Sequence, residues 1–122
     1  MQELQLKDLT LEQKIGQVIC ARGFRNAEDK AFLLEMIRKK AVGGVQIAFT
    51  DTYRDFIKEI QEAADYPILL YNDMERGFPK GQSIPAAIAL GAVNDPEIAY
   101  EAARITAIEA KAVGMNAVCG PV

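Results

Sequence analysis

Pro67-Ile68-Leu69-Leu70-Tyr71-Asn72-Asp73-Met74-Glu75-Arg76-Gly77 passes from an almost wholly apolar run into a cluster of polar side chains. Behind the helix breaker Asp65-Tyr66-Pro67, such a run reads as a strand covered on both faces rather than one half exposed to water. Strands of that kind belong to parallel sheets, whose connections are helices. The abrupt polar end puts Asp73 and Glu75 at the C-terminal end of the strand. Barrels and open α/β sheets collect their binding and catalytic side chains at that end.

Working outward, Val45-Gln46-Ile47-Ala48-Phe49 after Gly43-Gly44 reads as another buried strand. Between the two runs, Thr50-Asp51-Thr52 offers N-cap side chains. Tyr53, Phe56, Ile57, Ile60 and Ala64 then mark one face of a helix reaching about Ala64. Thr10-Leu11-Glu12-Gln13 has the form of a capping box, and Leu11, Ile15, Val18 and Ile19 follow at helical spacing. They predict a helix over 11–20 with a core-facing stripe. A second helix is expected from Ala27, with Leu33, Met36 and Ile37 on one face and Arg38-Lys39-Lys40 in a favourable last turn.

C-terminal to the opening segment, Phe78 to Pro85 reads as a loop. Asn94-Asp95-Pro96-Glu97 is a compact helix start, since Asp95 accepts from first-turn amides, Pro96 lacks the amide that would go unpaired and Glu97 complements the dipole. The Ala-rich helix that follows is expected to end at Gly114. Met115-Asn116-Ala117-Val118-Cys119 is then expected as a third buried strand. The order α, α, β, α, β, loop, α, β implies an α/β fold with parallel strands and right-handed crossovers. The expectation is a partial (β/α)8 barrel with about three parallel strands and flanking helices, one domain over residues 1–122. A full barrel takes about 250 residues. Three strands alone leave outer edges unpaired, so the expected piece is the N-terminal part of a larger barrel, cut after the third strand and associating as a homo-oligomer.

The chain has 122 residues, with 14 Lys+Arg against 17 Asp+Glu and a net charge of −3. It lacks the basic stripe that phosphate backbones require, so nucleic acid is not an expected partner. No histidine is present. That removes a Ser-His-Asp triad, a Cys-His pair and any His-containing zinc site from these residues. Cys20 and Cys119 lie far apart without a C-x-x-C spacing and read as reduced, buried thiols. Met1-Gln2-Glu3-Leu4 has neither the basic nor the apolar region of a leader, and no run approaches the roughly 18 apolar residues of a spanning helix. A soluble, cytoplasmic protein that engages no membrane is expected. Gly43-Gly44 and Gly114 form no dinucleotide fingerprint, the acids are too scattered for a metal cage, and no cofactor is expected. Glu109, in mid-helix, is expected on a solvated face or paired with Arg104 or Lys111.

Asp73 and Glu75 carry the chemistry that remains. In an extended segment they lie about 6.6 Å apart on one side, within the range in which two carboxylates divide acid and base roles on a sugar. The same residues also suit a strand-to-loop turn with solvated acids or an Arg76 ion pair.

At these residues the chain resembles the N-terminal barrel domain of family 3 glycoside hydrolases, the β-glucosidases and β-N-acetylhexosaminidases. Leu9 to Val18 is similar to the family's LTLEEKIGQM opening, and Val42 to Phe49 to its VGGVILF strand. Pro67 to Gly77 is similar to its PLLIAxDxEGG segment, and the stretch from Ile84-Pro85 through Leu90-Gly91-Ala92, Asp95, Ala99-Tyr100, Glu109 and Val113-Gly114-Met115-Asn116 to Gly120-Pro121-Val122 echoes the rest. The resemblance implies that Asp73 binds hydroxyls of the sugar in the first subsite, a task suited to a carboxylate with several lone-pair sites. Glu75 and Arg76 are assigned to substrate binding with it. Arg76 stands where the family has the first glycine of a pair, and Phe78-Pro79-Lys80-Gly81 replaces a G-x-V-x-R pattern, which bears on loop shape and sugar preference. The resemblance assigns the nucleophile, the acid/base group and a Lys-His sugar-binding segment to positions beyond residue 122, so no catalytic residue is assigned here. It implies a retaining hydrolase of β-linked glucosides or N-acetylglucosaminides, with a carbohydrate as partner and this piece inactive alone. The alternative is a non-catalytic carbohydrate-binding or assembly module.

Overall fold

The computed structural model describes residues 5–120. After a 3-10 turn at Leu6–Asp8 the chain runs α1 (Leu11–Gly16), β1 (Cys20–Arg22), α2 (Ala27–Arg38), β2 (Gly44–Gln46), α3 (Tyr53–Ala63), β3 (Leu69–Tyr71), α4 (Ala87–Val93) and α5 (Pro96–Ala112). The three strands form one parallel sheet in the order β1-β2-β3. Each crossover is a helix, as a parallel sheet requires. An α/β partial barrel with three parallel strands is therefore the observed architecture.

The strands differ from the expected set at two places. The helix predicted over 11–20 stops at Gly16, and Cys20–Arg22 becomes β1. Packing sets that boundary: a Cβ on Gly16 would lie 2.4 Å from Ala41 Cα, and one on Gly43 would lie 2.0 Å from the Gln17 carbonyl oxygen. The chain crosses its neighbour at backbone contact there. Ile19 O then accepts from the Gly43 and Gly44 amides at 2.9 and 3.3 Å, which opens the β1–β2 ladder. The capping box itself forms, with Gln13 N–H donating to Thr10 Oγ1 and Thr10 N–H to Gln13 Oε1. Its stripe does not face the core: Leu11, Ile15 and Val18 are exposed, Val18 to 83%.

Met115–Cys119 is not a regular strand, yet it runs beside β3. Asn116 and Ala117 amides donate to Leu70 O, Cys119 N–H donates to Asn72 O, and a single parallel bridge joins Cys119 to Asp73. Asn116 replaces backbone pairing with its side chain, accepting from Leu70 N–H at 2.8 Å and donating to Ile68 O at 2.9 Å. Pro121 and Val122, the end of the motif here, lie outside the described residues.

Alternation along the strands separates two faces. Val45 and Leu70 point into a core shared with Leu33 and Ile37 of α2 and with Tyr53, Phe56, Ile57 and Ile60 of α3. Val45, Ile37, Ile47 and Ile60 are wholly buried, each contributing about 1.5–3 kcal/mol of burial free energy. Lys30 and Glu59 tie α2 to α3 at 2.7 Å. On the opposite face Cys20 is exposed, as is Cys119 beyond β3; both thiols are free. The expectation of buried cysteines fails because each falls at a position whose parity or edge location turns it away from the helical layer.

The Asn94-Asp95-Pro96-Glu97 start behaves as expected, with Asp95 accepting from Glu97 N–H and Pro96 in the first turn. Ahead of it lies α4, which the sequence reading did not include. Asn94 closes α4 in the left-handed region at φ 54°.

Candidate functional site

The C-terminal ends of the strands gather on one side. Arg22, Gln46 and Tyr71 are register partners at the last positions of β1, β2 and β3. Just beyond β1 and β2, Phe24 and Phe49 pack against the core, and Phe78 from the loop after β3 joins them. Phe24 meets Phe56 edge-on at 4.6 Å, and Phe49 meets both Tyr53 and Phe78 at 5.3 and 5.0 Å. These edge-to-face contacts pack the aromatic rings together below the strand ends.

Asp73 sits two residues past the end of β3 and is held by its backbone. Its N–H donates to Asn72 Oδ1 at 2.6 Å, while Asn72 Nδ2 donates to Ile47 O and so anchors the turn to β2. On the other side Cys119 brackets it, its N–H donating to Asn72 O at 3.0 Å and its carbonyl accepting from Met74 N–H at 3.1 Å. The carboxylate is exposed and takes a long hydrogen bond from Gln46 Nε2 at 3.4 Å on Oδ2. No other side-chain hydrogen bond engages it among the described residues, which leaves lone pairs directed at solvent.

Asp73 lines a cavity of about 1030 Å³ with Asn72, Gln46, Arg22 and Arg25. Arg25 is neutralised by Asp29 at 2.8 Å, which lowers the Asp29 carboxyl through the hydrogen bond to that guanidinium. Tyr71 lies at the same end of the sheet. Burial, reinforced by Cys20, raises its phenol above the ordinary value, so it stays protonated as a donor at neutral pH.

Glu75 is not brought to this cavity. It lines a separate groove of about 650 Å³ between the strand-end loop, α4 and α5, together with apolar residues such as Leu90, Ala99 and Ala103. Asp73 and Glu75 therefore face different spaces, and the arrangement offers no acid/base pair across one bond. Arg76 is exposed, borders neither space and forms no ion pair among the described residues. Its replacement of a glycine is accommodated, because the left-handed conformation at this turn belongs to Gly77 at φ 87°. The loop Phe78 to Pro85 is a loop, closed by Ile84 N–H donating to Arg76 O at 3.0 Å.

Glu109 departs from its expected solvated or ion-paired setting. Its side chain turns inward and accepts from Gln82 N–H at 2.8 Å. The sequence reading also missed Asn72, whose amide positions Asp73, although an asparagine directly after a buried strand was visible. Among the described residues no three His, Cys, Asp or Glu side chains converge as a metal site would require, and no helix is long and apolar enough to cross a membrane.

Residues 10–122 match the glycosyl hydrolase family 3 N terminal domain. No curated protein matches the chain.

Proposed function

The chain belongs to glycosyl hydrolase family 3, and from that premise we propose that it forms the sugar-holding part of a retaining glycoside hydrolase acting on β-linked glucosides or N-acetylglucosaminides. Asp73 accepts from adjacent sugar hydroxyls at the strand ends, while Glu75 and Arg76 lie outside its cavity and are not part of this proposed contact. Such charge-assisted bonds are about twice as strong as neutral ones and suit a diol. The observation that supports this reading most directly is the backbone clamp on Asp73 by Asn72 and Cys119, which presents its carboxylate to an open cavity.

A retaining mechanism needs a nucleophile and an acid/base group about 5–5.5 Å apart. Asp73 and Glu75 do not supply that pair, so the proposed contribution of Asp73 is binding rather than bond cleavage. Calorimetric titration with methyl β-D-glucopyranoside and with its 2-acetamido counterpart tests the proposal. Binding of either glycoside, weakened about tenfold or more by Asp73→Ala through loss of its charged hydrogen bonds, supports it. Unchanged affinity in the variant removes Asp73 from the role.

Exposed apolar side chains support a second property. Leu11 and Ile15 on α1, Val18 just after it, and Ile88 on α4 are open to solvent. Exposed apolar side chains that form a contiguous patch mark association surfaces. We propose that the chain self-associates as a homo-oligomer through these faces.

A further inference from the structure

Helix α5 reaches the loop after β3 through one carboxylate. Glu109 Oε1 accepts from the Gln82 amide at 2.8 Å, while Oε2 is buried with no partner among the described residues. The same carboxylate fills the space beside Gly81, where a Cβ would lie 2.3 Å from Oε2. The loop is otherwise closed on itself, by Ile84 N–H to Arg76 O at 3.0 Å and Gly81 N–H to Phe78 O at 2.9 Å, with the Phe78 ring buried against Phe49. Among the described residues, the Glu109 bond is the one side-chain hydrogen bond from another element to the loop tip.

An unpartnered carboxylate oxygen kept out of water is costly, and a glutamate on a helix surface ordinarily avoids that cost by turning outward. Glu109 instead faces the loop, which fits the tendency of unsatisfied buried groups to occur at functional sites. The base of the loop is continuous with Asp73: Gly77 N–H donates to the carbonyl of buried Met74, and Met74 N–H is bonded to Cys119 O. The base of the loop is thus hydrogen-bonded to Met74, the residue beside Asp73.

We propose that Glu109 is a positioning residue for sugar binding, fixing the 77–84 loop through the Gln82 amide so that Asp73 is held in its binding geometry. The proposal rests on the reading of Asp73 as a sugar ligand. Glu109→Gln keeps a carbonyl acceptor for Gln82 N–H, whereas Glu109→Ala removes it and Glu109→Asp withdraws it by one methylene.

The test titrates each variant with methyl β-D-glucopyranoside and its 2-acetamido counterpart, and follows amide exchange by NMR. The expected result is Kd within twofold of the parent for Glu109→Gln, on the order of tenfold weaker for Glu109→Ala, and intermediate for Glu109→Asp. Exchange should quicken at Gly81 and Gln82 and stay unchanged in β1–β3. If Glu109→Ala fails to fold, the contrast between Glu109→Asp and Glu109→Gln decides. Faster exchange at Gln82 with unaltered Kd overturns the proposal, as does equal weakening by Gln and Ala. Asp73→Ala separates this from the underlying reading: loss of binding there, with Glu109→Ala unaffected, removes only the positioning role. Unaltered binding by Asp73→Ala, or no binding by the unmodified chain, removes both.

Discussion

The side chain of Asn116 stands in for a strand beside Leu70, its carbonyl accepting the Leu70 amide at 2.8 Å while its NH2 group donates to Ile68 O at 2.9 Å. This pairing satisfies the edge of β3 where the following chain is irregular. Asn116→Ala leaves both backbone groups without these partners, at a cost of about 1–3 kcal/mol. Urea denaturation measures the loss. Asn116→Asp retains the acceptor but sets a carboxylate oxygen against Ile68 O in place of the donor, and is expected to be no more stable than Asn116→Ala at neutral pH.

Gly16 and Gly43 are fixed by contact with backbone, at Ala41 and Gln17 respectively. Backbone cannot move aside as a flexible side chain does. Gly43→Ala is therefore expected to destabilise the fold by about 3 kcal/mol through overpacking, and Gly16→Ala by a similar amount, in thermal or chemical unfolding. Gly91, with open space at its Cβ position, provides the control: Gly91→Ala in α4 should stabilise by about 0.5–1 kcal/mol.

Tyr66 supplies an alkaline signature. Its side chain is buried with the hydroxyl donating to Val42 O, and burial, with a smaller effect of Asp65, pushes its pKa up to about 12. The unfolded phenol titrates near 10, so between these values the folded state binds more protons. That contribution is fully present below pH 10 and is lost as pH rises from 10 to 12. Tyr66→Phe should lower stability by about 1 kcal/mol at neutral pH and flatten the decline above pH 10, read from unfolding midpoints.

Self-association through the apolar faces is tested by sedimentation across a concentration series. The parent chain should show a mass above that of one copy. Val18→Lys with Ile88→Lys, both at highly exposed positions, should reduce it to one folded copy and remove any concentration dependence of the unfolding midpoint.

Much of this fold was legible because local and tertiary signals agree. Asp95-Pro96 begins α5, the Tyr53–Ile60 stripe is buried, and Leu69–Tyr71 is a strand next to Asp73. The failures have specific causes. Leu11, Ile15, Val18 and Ile19 fit helical spacing, yet Val18 and Ile19 also suit an extended chain, and the Gly16 and Gly43 backbone contacts decide between them. Asn116 satisfies β3 by its side chain, which no hydrophobic pattern reveals. At the site, spacing put Asp73 and Glu75 on one side, whereas the Asp73–Cys119 bridge and the Glu75–Gly77 turn direct them into different spaces. The inward turn of Glu109 depends on a loop 27 residues away in sequence.

The central claim is that a sugar binds at the strand ends, at Asp73. A residue-resolved NMR titration of the unmodified chain with methyl β-D-glucopyranoside and its 2-acetamido counterpart tests it most directly. The account predicts saturable amide shifts at Arg22, Gln46, Asn72 and Asp73, abolished by Asp73→Ala. Shifts confined to the groove lined by Leu90, Ala99 and Ala103, or none with either glycoside, would contradict it.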